Sequence, residues 1–383
     1  MHVLHVGCVR DPLDRTGAAL LDAWPTLHDV ALAVHRAGAR VTVLQAAHED
    51  GALERDGVRY RFVAEPRLPG RRWVTGALPG RLARAAAALR PDVIHLNGLG
   101  FPLHARALCG AGAPVLAQHH GGPPPRRLAA LHRWGYARVA AVAFTAREQA
   151  GAWFAAGALR PGVPVFPVPE SSTRFTPGDR GEARAATGVH GDPALLWVGR
   201  LNDNKDPLTL LDAVSLALPR LPGLQLWCCY HEAPLLDRVR ARLAAQPALA
   251  AHVHLLGAVP HARVELLCRA ADFFVLGSHH EAAGFAVLEA MACGATPVVS
   301  DIAPFRALTG GGAAGALARV GDAAGFADAL VSLASRVPDE LRRRTLDHFR
   351  RELSFDVLGA RLVEAYRSLA AGTPATPAPG VAR

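Results

Sequence analysis

The sequence contains almost no lysine. Of its 42 basic side chains all but Lys205 are arginine. We interpret this bias as one of codon composition, in which arginine replaces lysine wherever the two serve equally well. Lys205 is therefore a candidate for a position that needs a compact ammonium group rather than a planar guanidinium.

Further absences exclude whole classes of protein. No apolar run reaches the roughly 18–20 residues that span a bilayer. Residues 1–7 read directly as a strand, without the basic and apolar regions of a leader peptide. The six cysteines have neither zinc-site nor disulfide spacing. The sequence therefore predicts a cytoplasmic protein with free thiols, in contact with a membrane at most at its periphery.

Two ligand signatures are missing as well. The loop Arg10 to Pro25, after the first strand, contains Gly17 but no G-x-G-x-x-G, so a dinucleotide site is not supported. The D-x-D pattern of metal–phosphate sites occurs nowhere in the chain. We expect neither a cofactor nor a bound metal.

The net charge of +9 lies entirely in the first half. Residues 1–178 carry 21 arginines against 12 carboxylates, and the remainder is neutral. Such a half attracts an acidic partner, whether anionic lipid, nucleic acid or a phosphorylated acceptor. A basic, solvated surface is the alternative. Arg71, Arg72 and Trp73 suit a membrane surface, and we do not expect nucleic acid to be the partner.

Apolar strands alternate with helical patterns along both halves, which predicts parallel, doubly wound α/β sheets. Strands are predicted near 3–8, 41–45, 59–63, 93–96, 114–118, 139–144 and 163–166, then near 194–198, 224–230, 252–256, 272–276 and 296–300. Helices are predicted near 27–37, 79–89, 101–109, 126–134 and 146–155, then near 206–218, 233–245, 261–269, 285–293, 339–351 and 355–370.

The length of the chain favours two domains. We predict a first domain over 1–168, a linker rich in Pro, Ser and Thr over 169–178, and a second domain over 179–354. A C-terminal helix over 355–371 and a disordered tail over 372–383 follow.

Two cations follow the first strand of the second half. Arg200 comes directly after Gly199, and Lys205 stands just before Asp206-Pro207, which starts a helix. Arginine offers phosphate oxygens a fork of N–H groups, and lysine offers a mobile point charge. Together with the helix end, these cations could neutralise a pyrophosphate without a metal.

Two carboxylates follow a later strand. Glu281 stands in the loop after 272–276, and Glu289 lies in the helix that follows Gly284. Ligands of open α/β sheets bind at the carboxyl ends of the strands, and helix N-termini favour anions. The two glutamates therefore flank a predicted anion site.

A histidine pair ends a strand of the first half. His119 and His120 precede Gly121-Gly122 at the predicted ligand edge of the first sheet. A ligand site and a structural role are both open for this pair.

These motifs resemble the retaining glycosyltransferases of family 4, which have the GT-B fold. The resemblance implies two Rossmann-like domains that face each other across a cleft. The second would bind a nucleotide sugar, the first the acceptor, and the last helix would cross back to the first. The strongest match spans 190–330, with Gly199-Arg200-Leu201, Lys205, Glu281 and Glu289 in E-x7-E spacing, and Pro297-Val298-Val299; Asp92-Val93-Ile94-His95 and His120-Gly121 match more weakly.

Roles can be carried over by position. The resemblance implies that Arg200 and Lys205 hold the donor pyrophosphate and that Glu289 binds the ribose hydroxyls. Glu281 would lie against the transferred sugar, and the backbone of Gly284 and Phe285 would meet sugar and phosphate oxygens. His120 would sit beside the reacting sugar, with His119 and Gly17 in acceptor or loop contacts.

The sequence also departs from the family pattern. Ala282-Ala283 stands where the family often has Gly-Phe, and Glu170-Ser171-Ser172-Thr173 replaces the Asn-Gly-Val-Asp of its linker. Gly17 alone replaces a Gly-Gly pair after the first strand. These changes leave open which sugar is transferred and what the first loop binds.

The expected function is metal-independent transfer of a sugar from a nucleotide sugar to an acceptor hydroxyl, with retention, in cell-envelope or polysaccharide biosynthesis. The acceptor could be a lipid, a saccharide or a small molecule. The alternatives are a nucleotide-sugar epimerase of the same fold and a non-catalytic protein that binds sugar nucleotides or lipids. A pyridoxal-phosphate phosphorylase is disfavoured, because Lys205 lies in a loop suited to phosphate.

Overall fold

The computed structural model describes residues 1–66 and 79–372. The first of two compact units contains Met1–Ser172 and the segment that starts at Phe355; the second contains Thr173–Ser354. The division lies within 169–178, the predicted linker. The tail from 373 onward and the predicted membrane contacts Arg71, Arg72 and Trp73 lie outside the described residues.

An eight-stranded sheet forms the centre of the first unit, in the order β3-β4-β2-β1-β5-β6-β7-β8. All neighbouring strands are parallel except β3 and β4. The strands are β1 His2–Gly7, β2 Arg40–Ala47, β3 Gly51–Arg55, β4 Val58–Ala64, β5 Val93–Asn97, β6 Val115–Gln118, β7 Ala141–Phe144 and β8 Val165–Pro167.

Helices connect these strands, and one of them corrects a prediction. The segment Arg10 to Pro25 was predicted to be a loop, but Gly17 begins a short helix that buries Leu20 and Leu21. The helices are α1 Gly17–Ala23, α2 Pro25–Arg36, α3 Gly80–Leu89, α4 Pro102–Leu108, α5 Ala129–Gly135 and α6 Ala150–Ala155, with a 3-10 turn at Arg147–Gln149 before α6.

Strand β3 was not predicted either. It pairs with β4 across Asp56-Gly57, and both turn residues have positive φ angles, of 51° and 77°. An Asp-Gly pair with these angles is typical of a two-residue hairpin turn. Buried and exposed residues alternate only weakly along β3, which lies at the edge of the sheet. The Asp-Gly dipeptide was therefore a stronger indication of the hairpin than the sequence of the strand itself.

The start of the predicted linker is packed into the structure. Glu170, Ser171 and Ser172 are buried, and Gln118 donates hydrogen bonds to the carbonyls of Val168 and Pro169, at 3.3 and 3.0 Å. Burial raises the pKa of Glu170 to about 7.

The last helix, α16 Phe355–Ala370, packs on α2 within the first unit. Tyr366 Oη lies between His95 Nδ1 and His5 Nε2, the latter at 3.2 Å. Burial lowers the pKa of His5 to about 3 and also lowers the pKa of His95. Because both rings are neutral, the hydroxyl can donate to one and accept from the other. This polar contact fixes α16 against β1 and β5.

The second unit has a six-stranded parallel sheet in the order β11-β10-β9-β12-β13-β14. The predicted strands are present, and β14 is additional. The strands are β9 Ala194–Gly199, β10 Gln225–Tyr230, β11 Val253–Gly257, β12 Phe273–Leu276, β13 Thr296–Ser300 and β14 Ala316–Ala318.

The second unit also contains helices that the sequence analysis did not predict, namely α7, α10, α13 and α14. The helices of the unit are α7 Arg180–Thr187, α8 Pro207–Ala217, α9 Leu236–Ala244, α10 Pro247–Ala250, α11 His261–Ala270, α12 Phe285–Cys293, α13 Ala303–Thr309, α14 Ala323–Ala334 and α15 Pro338–Glu352.

We predict that Gly359→Ala destabilises the first unit. Alanine normally stabilises a helix relative to glycine by about 0.5–1 kcal/mol. At Gly359, however, a Cβ atom would lie 2.2 Å from the backbone oxygen of Ala33 in α2, so the two helices must separate, at a cost of about 1–3 kcal/mol. Urea denaturation measures the change.

Gly151→Ala is the matched control, because this glycine lies in α6 and a Cβ atom there meets no neighbour within 4 Å. We expect it to leave stability unchanged or raise it slightly. Equal effects of the two substitutions would contradict the proposed packing of α16 on α2.

Candidate functional site

The winding of the second sheet reverses between β9 and β12. The chain runs from β9 through β10 and β11 on one side and then returns to β12, where Phe273 pairs with Leu195 and Phe274 with Leu196. The loops after β9 and β12 therefore leave the same edge of the sheet at neighbouring positions. A reversal of this kind forms the ligand crevice of open α/β sheets.

The structure brings Lys205 and Glu281 together at this edge. Lys205 Nζ donates a hydrogen bond to Glu281 Oε1, and Ser278 Oγ donates to the same oxygen at 2.7 Å. The Lys205 and Glu281 side chains are 19% and 12% exposed. The lone lysine and a predicted catalytic carboxylate thus form one largely buried ion pair.

Asn204 joins the loop after β9 to the loop after β12 by hydrogen bonds. Its Nδ2 donates to the carbonyl of His280 at 3.0 Å, and its Oδ1 accepts from the amide of His280 at 3.0 Å. Its carbonyl accepts from the amide of His279 at 2.8 Å. Asp206 accepts from Thr209 N at 3.2 Å and caps α8. Lys205 therefore lies between Asn204, which is hydrogen-bonded to the loop after β12, and Asp206, which caps α8.

Arg200 has a different environment. Its Nε lies 3.5 Å from Glu232 Oε2, and both side chains are more than half exposed. The two predicted cations thus have different carboxylate partners in this conformation. An exposed ion pair contributes about 0–1 kcal/mol, so Arg200 can leave Glu232 for a stronger anion.

Gly284 sets the start of α12 with a φ of 71°. A Cβ atom there would lie 2.8 Å from the ring of Phe305 and 3.1 Å from Leu308, so both the angle and the space require glycine. Phe285 follows as the first helical residue and is partly exposed. The first amides of a helix have no partner within it and favour an anion.

Glu289 lies about one turn into α12 and is hydrogen-bonded to a histidine. His261 Nε2 is 2.8 Å from Glu289 Oε1, and the His261 ring lies 4.7 Å from that of Phe175. Burial raises the pKa of Glu289, whereas the His261 contact opposes that rise. The mostly buried carboxylate is thus held by an exposed imidazole.

The predicted histidine pair splits into two environments. His119 is buried, stacks on Phe144 with centroids 5.0 Å apart, and has its Nε2 3.0 Å from the carbonyl of Gly122. His120 as a whole residue is exposed, but its imidazole is surrounded by protein groups and influences the buried His5 and His95. Burial and His119 lower the pKa of His120 to about 4, so His120 is neutral at physiological pH. Gly17, with a φ of 56°, lies at the start of α1.

Three residues at the site were not given roles by the sequence analysis. The sequence could have indicated Asn204 and Ser278, since both are polar residues within the loops that carry Lys205 and Glu281. It could not have indicated His261, because this residue is 28 positions before Glu289 and starts a different helix.

Two family models match consecutive parts of the chain. The model described as Glycosyltransferase Family 4 matches residues 25–158, and the model described as Glycosyl transferases group 1 matches residues 192–336. The chain belongs to glycosyltransferase family 4. The family predicted from the motifs is therefore confirmed.

Curated relatives of this family 4 protein act on different acceptors. D-inositol 3-phosphate glycosyltransferase of Nocardia farcinica is 35% identical over 196 residues, which are 50% of this chain and 43% of that protein. GDP-mannose:cellobiosyl-diphosphopolyprenol alpha-mannosyltransferase of Xanthomonas campestris is 28% identical over 305 residues, 74% of this chain and 76% of that protein. The chain spans less than half the length of the Nocardia relative.

Solved structures support the fold. HepE of Anabaena in complex with UDP has a TM-score of 0.70 and 18% identity, covering 96% of this chain and all of that chain. Sucrose-phosphate synthase of Thermosynechococcus elongatus has a TM-score of 0.62 and 18% identity, covering 97% and 100%. The predicted GT-B class, with two parallel-sheet α/β domains, is confirmed. Within residues 1–66 and 79–372, no helix has the length and apolarity needed to cross a bilayer.

Proposed function

We propose that the protein transfers a sugar from a nucleoside-diphosphate sugar to an acceptor hydroxyl, with retention of anomeric configuration and without a metal ion. The observation that carries the proposal is the Lys205–Glu281 pair at the carboxyl ends of β9 and β12. The start of α12 and the carboxylate of Glu289 complete the proposed donor site.

Lys205 stabilises the diphosphate leaving group. Its ammonium has three N–H donors, of which Glu281 Oε1 takes one and two remain for phosphate oxygens. Arg200 exchanges Glu232 for the same diphosphate, and the first amides of α12 add to the positive potential. A donor aimed at charge that develops in the transition state contributes roughly 3–4 kcal/mol. These groups supply positive charge where a metal-dependent enzyme uses its ion.

Glu289 binds the ribose diol. An ionised carboxylate has two acceptor oxygens and can receive both hydroxyl protons. The hydrogen bond from His261 favours the ionised form against the burial that disfavours it. His261 is thus a positioning residue for nucleotide binding.

Glu281 positions Lys205 and contacts the transferred sugar. Its Oε1 accepts from an ammonium and from a hydroxyl, and both contacts draw negative charge from the carboxylate. A carboxylate held in this way is a weaker nucleophile than a free one. The arrangement therefore favours attack by the acceptor on the leaving-group face over a covalent intermediate at Glu281.

The first unit provides the acceptor contacts. His120, exposed and neutral, can exchange hydrogen bonds with sugar hydroxyls, and the loop from Cys8 to Gly17 and the vicinity of His119 are the proposed acceptor region. The arginine excess of residues 1–178 favours an acceptor that carries phosphate, as the names of the Nocardia and Xanthomonas relatives imply for theirs. Cytoplasmic localisation with peripheral membrane contact remains part of this proposal.

We expect Lys205→Ala to lower the rate of nucleoside-diphosphate release about a hundredfold or more, because a transition-state donor is lost. The assay supplies UDP-, GDP- and ADP-sugars with inositol phosphate or polyprenyl phosphate as acceptors. Lys205→Arg should recover only part of the rate, since its guanidinium is longer and planar. Arg220→Ala, which breaks an exposed pair with Asp328, is the control and should retain full activity.

Wild-type turnover in folded Lys205→Ala protein would contradict the assignment of Lys205 to the donor site. Formation of an isomerised nucleotide sugar without an acceptor, and without net release of nucleoside diphosphate, would favour the epimerase. Tight nucleotide binding without turnover on any acceptor would favour a binding protein.

The affinity for the nucleotide should fall as the pH is lowered. Burial raises the pKa of Glu289 above its ordinary value of 4.5, so its carboxylate protonates, and loses its acceptor function, at a pH higher than 4.5. His261→Ala should move the midpoint of this loss to still higher pH, because the contact that favours the ionised form is gone.

Calorimetric titration with a nucleoside diphosphate, repeated from neutral pH down to pH 4.5, measures the loss of affinity. Glu289→Gln, in which residue 289 does not titrate, is the control and should bind weakly with little dependence on pH. A wild-type affinity as independent of pH as that of Glu289→Gln would overturn the role of Glu289.

A further inference from the structure

One face of the first unit combines exposed apolar side chains with arginines. Leu103 in α4 is 37% exposed, and around α5 Leu128, Leu131 and Trp134 are 57%, 37% and 50% exposed. These are four of the ten large apolar side chains exposed within the described residues. Their concentration around one short helix marks a surface that interacts with something other than water.

The packing of α5 explains why these side chains point outward. The helix buries His132 and Gly135, and Tyr136 just after it is also buried. A Cβ atom at Gly135 would lie 2.4 Å from the backbone oxygen of Pro102, so α5 packs directly on the start of α4. With that side buried, Leu131 and Trp134 remain exposed on the other side.

The charge of this region has one sign. No carboxylate occurs between Asp92 and Glu148, and six arginines lie between them. The guanidinium carbon of Arg106 lies 5.2 Å from the centroid of the Trp134 ring, so cation and apolar surface are adjacent. The α5 surface is defined as Arg126, Arg127, Leu128, Leu131, Arg133 and Trp134, all of which are exposed.

We propose that the α5 surface docks on an anionic lipid bilayer. Trp134, Leu128 and Leu131 enter the boundary between headgroups and acyl chains, and the arginines contact lipid phosphates. Basic side chains beside tryptophan and leucine are the composition that binds membrane interfaces. A symmetric contact with a second copy would bring arginines against arginines, which disfavours a dimer through this face.

This inference rests on the peripheral membrane contact of the proposed function and specifies the surface that makes it, and it uses none of the residues placed at the donor site. It also assigns the membrane contact to residues other than Arg71, Arg72 and Trp73, which lie outside the described part of the chain.

Sedimentation with vesicles tests the proposal on the full chain. The vesicles are an equal mixture of phosphatidylcholine and phosphatidylglycerol, and vesicles of phosphatidylcholine alone serve as a reference. Each arginine near an anionic surface strengthens partitioning about fivefold. Arg126→Ser/Arg127→Ser should therefore lower partitioning about 25-fold at low salt, and added salt should reduce the difference.

The matched control is Arg343→Ser/Arg344→Ser, an adjacent pair of exposed arginines in the second unit. It removes the same charge and should leave partitioning unchanged. If both pairs lower partitioning equally, the attraction belongs to net charge alone and the α5 surface is not the docking site.

The apolar part of the surface is tested separately. Trp134→Ala should lower partitioning about tenfold, and this loss should persist at high salt. Leu128→Ala is compared with Leu216→Ala, since these leucines are similarly exposed in different units, and only Leu128→Ala should weaken binding.

Absence of wild-type binding to anionic vesicles at low salt would overturn the proposal. The proposal would also be overturned if sedimentation velocity showed that the wild-type protein is a dimer and that Trp134→Ala makes it a monomer. Nucleotide affinity, measured on the same preparations, should be unchanged in every surface variant; a failure of the donor site would therefore appear separately from a failure of the docking surface.

Discussion

In a parallel sheet every strand delivers its following loop to the same edge, and a reversal of winding leaves two such loops side by side. The proposed donor site depends on this constraint. Because β12 returns to the side of β9, Lys205 and Glu281 meet although 76 positions separate them. Asn204 then joins the loops through both of its amide atoms, and Gly284 starts α12 at the same edge. The chemistry we propose follows from that adjacency more than from any single side chain.

Most of the sheet framework could be predicted, because buried parallel strands are short, continuous apolar runs between turn residues. The missed strands are at sheet edges: β3 is largely exposed and β14 has three residues. Some missed helices carried usable signals. Asp322 caps α14 by accepting from the amide of Gly325, and Gly310 ends α13 with a φ of 60°. These capping residues were signals in the sequence that the prediction of helices did not use.

The site residues could be selected from the sequence, but their contacts could not. Spacing and resemblance indicated Lys205, Glu281 and Glu289, whereas the pairing of the first two depends on the order of strands in the sheet. The histidine pair shows a second limit. Adjacent side chains at the end of a strand point to opposite sides, so His119 packs on Phe144 while His120 remains exposed. The contact between His261 and Glu289 joins the start of α11 to the interior of α12. A contact between two helices cannot be predicted from the local sequence of either one.

The most direct measurement compares a nucleoside diphosphate with its nucleoside by isothermal titration calorimetry, on wild-type and Lys205→Ala protein. The base is the one among uracil, guanine and adenine whose diphosphate raises the melting temperature most. Since Lys205 is proposed to contact the pyrophosphate alone, its loss should weaken diphosphate binding about tenfold to a hundredfold, the range of a hydrogen bond to a charged group. Nucleoside affinity should stay the same. Unchanged diphosphate affinity, or equal losses for both ligands, would contradict the account.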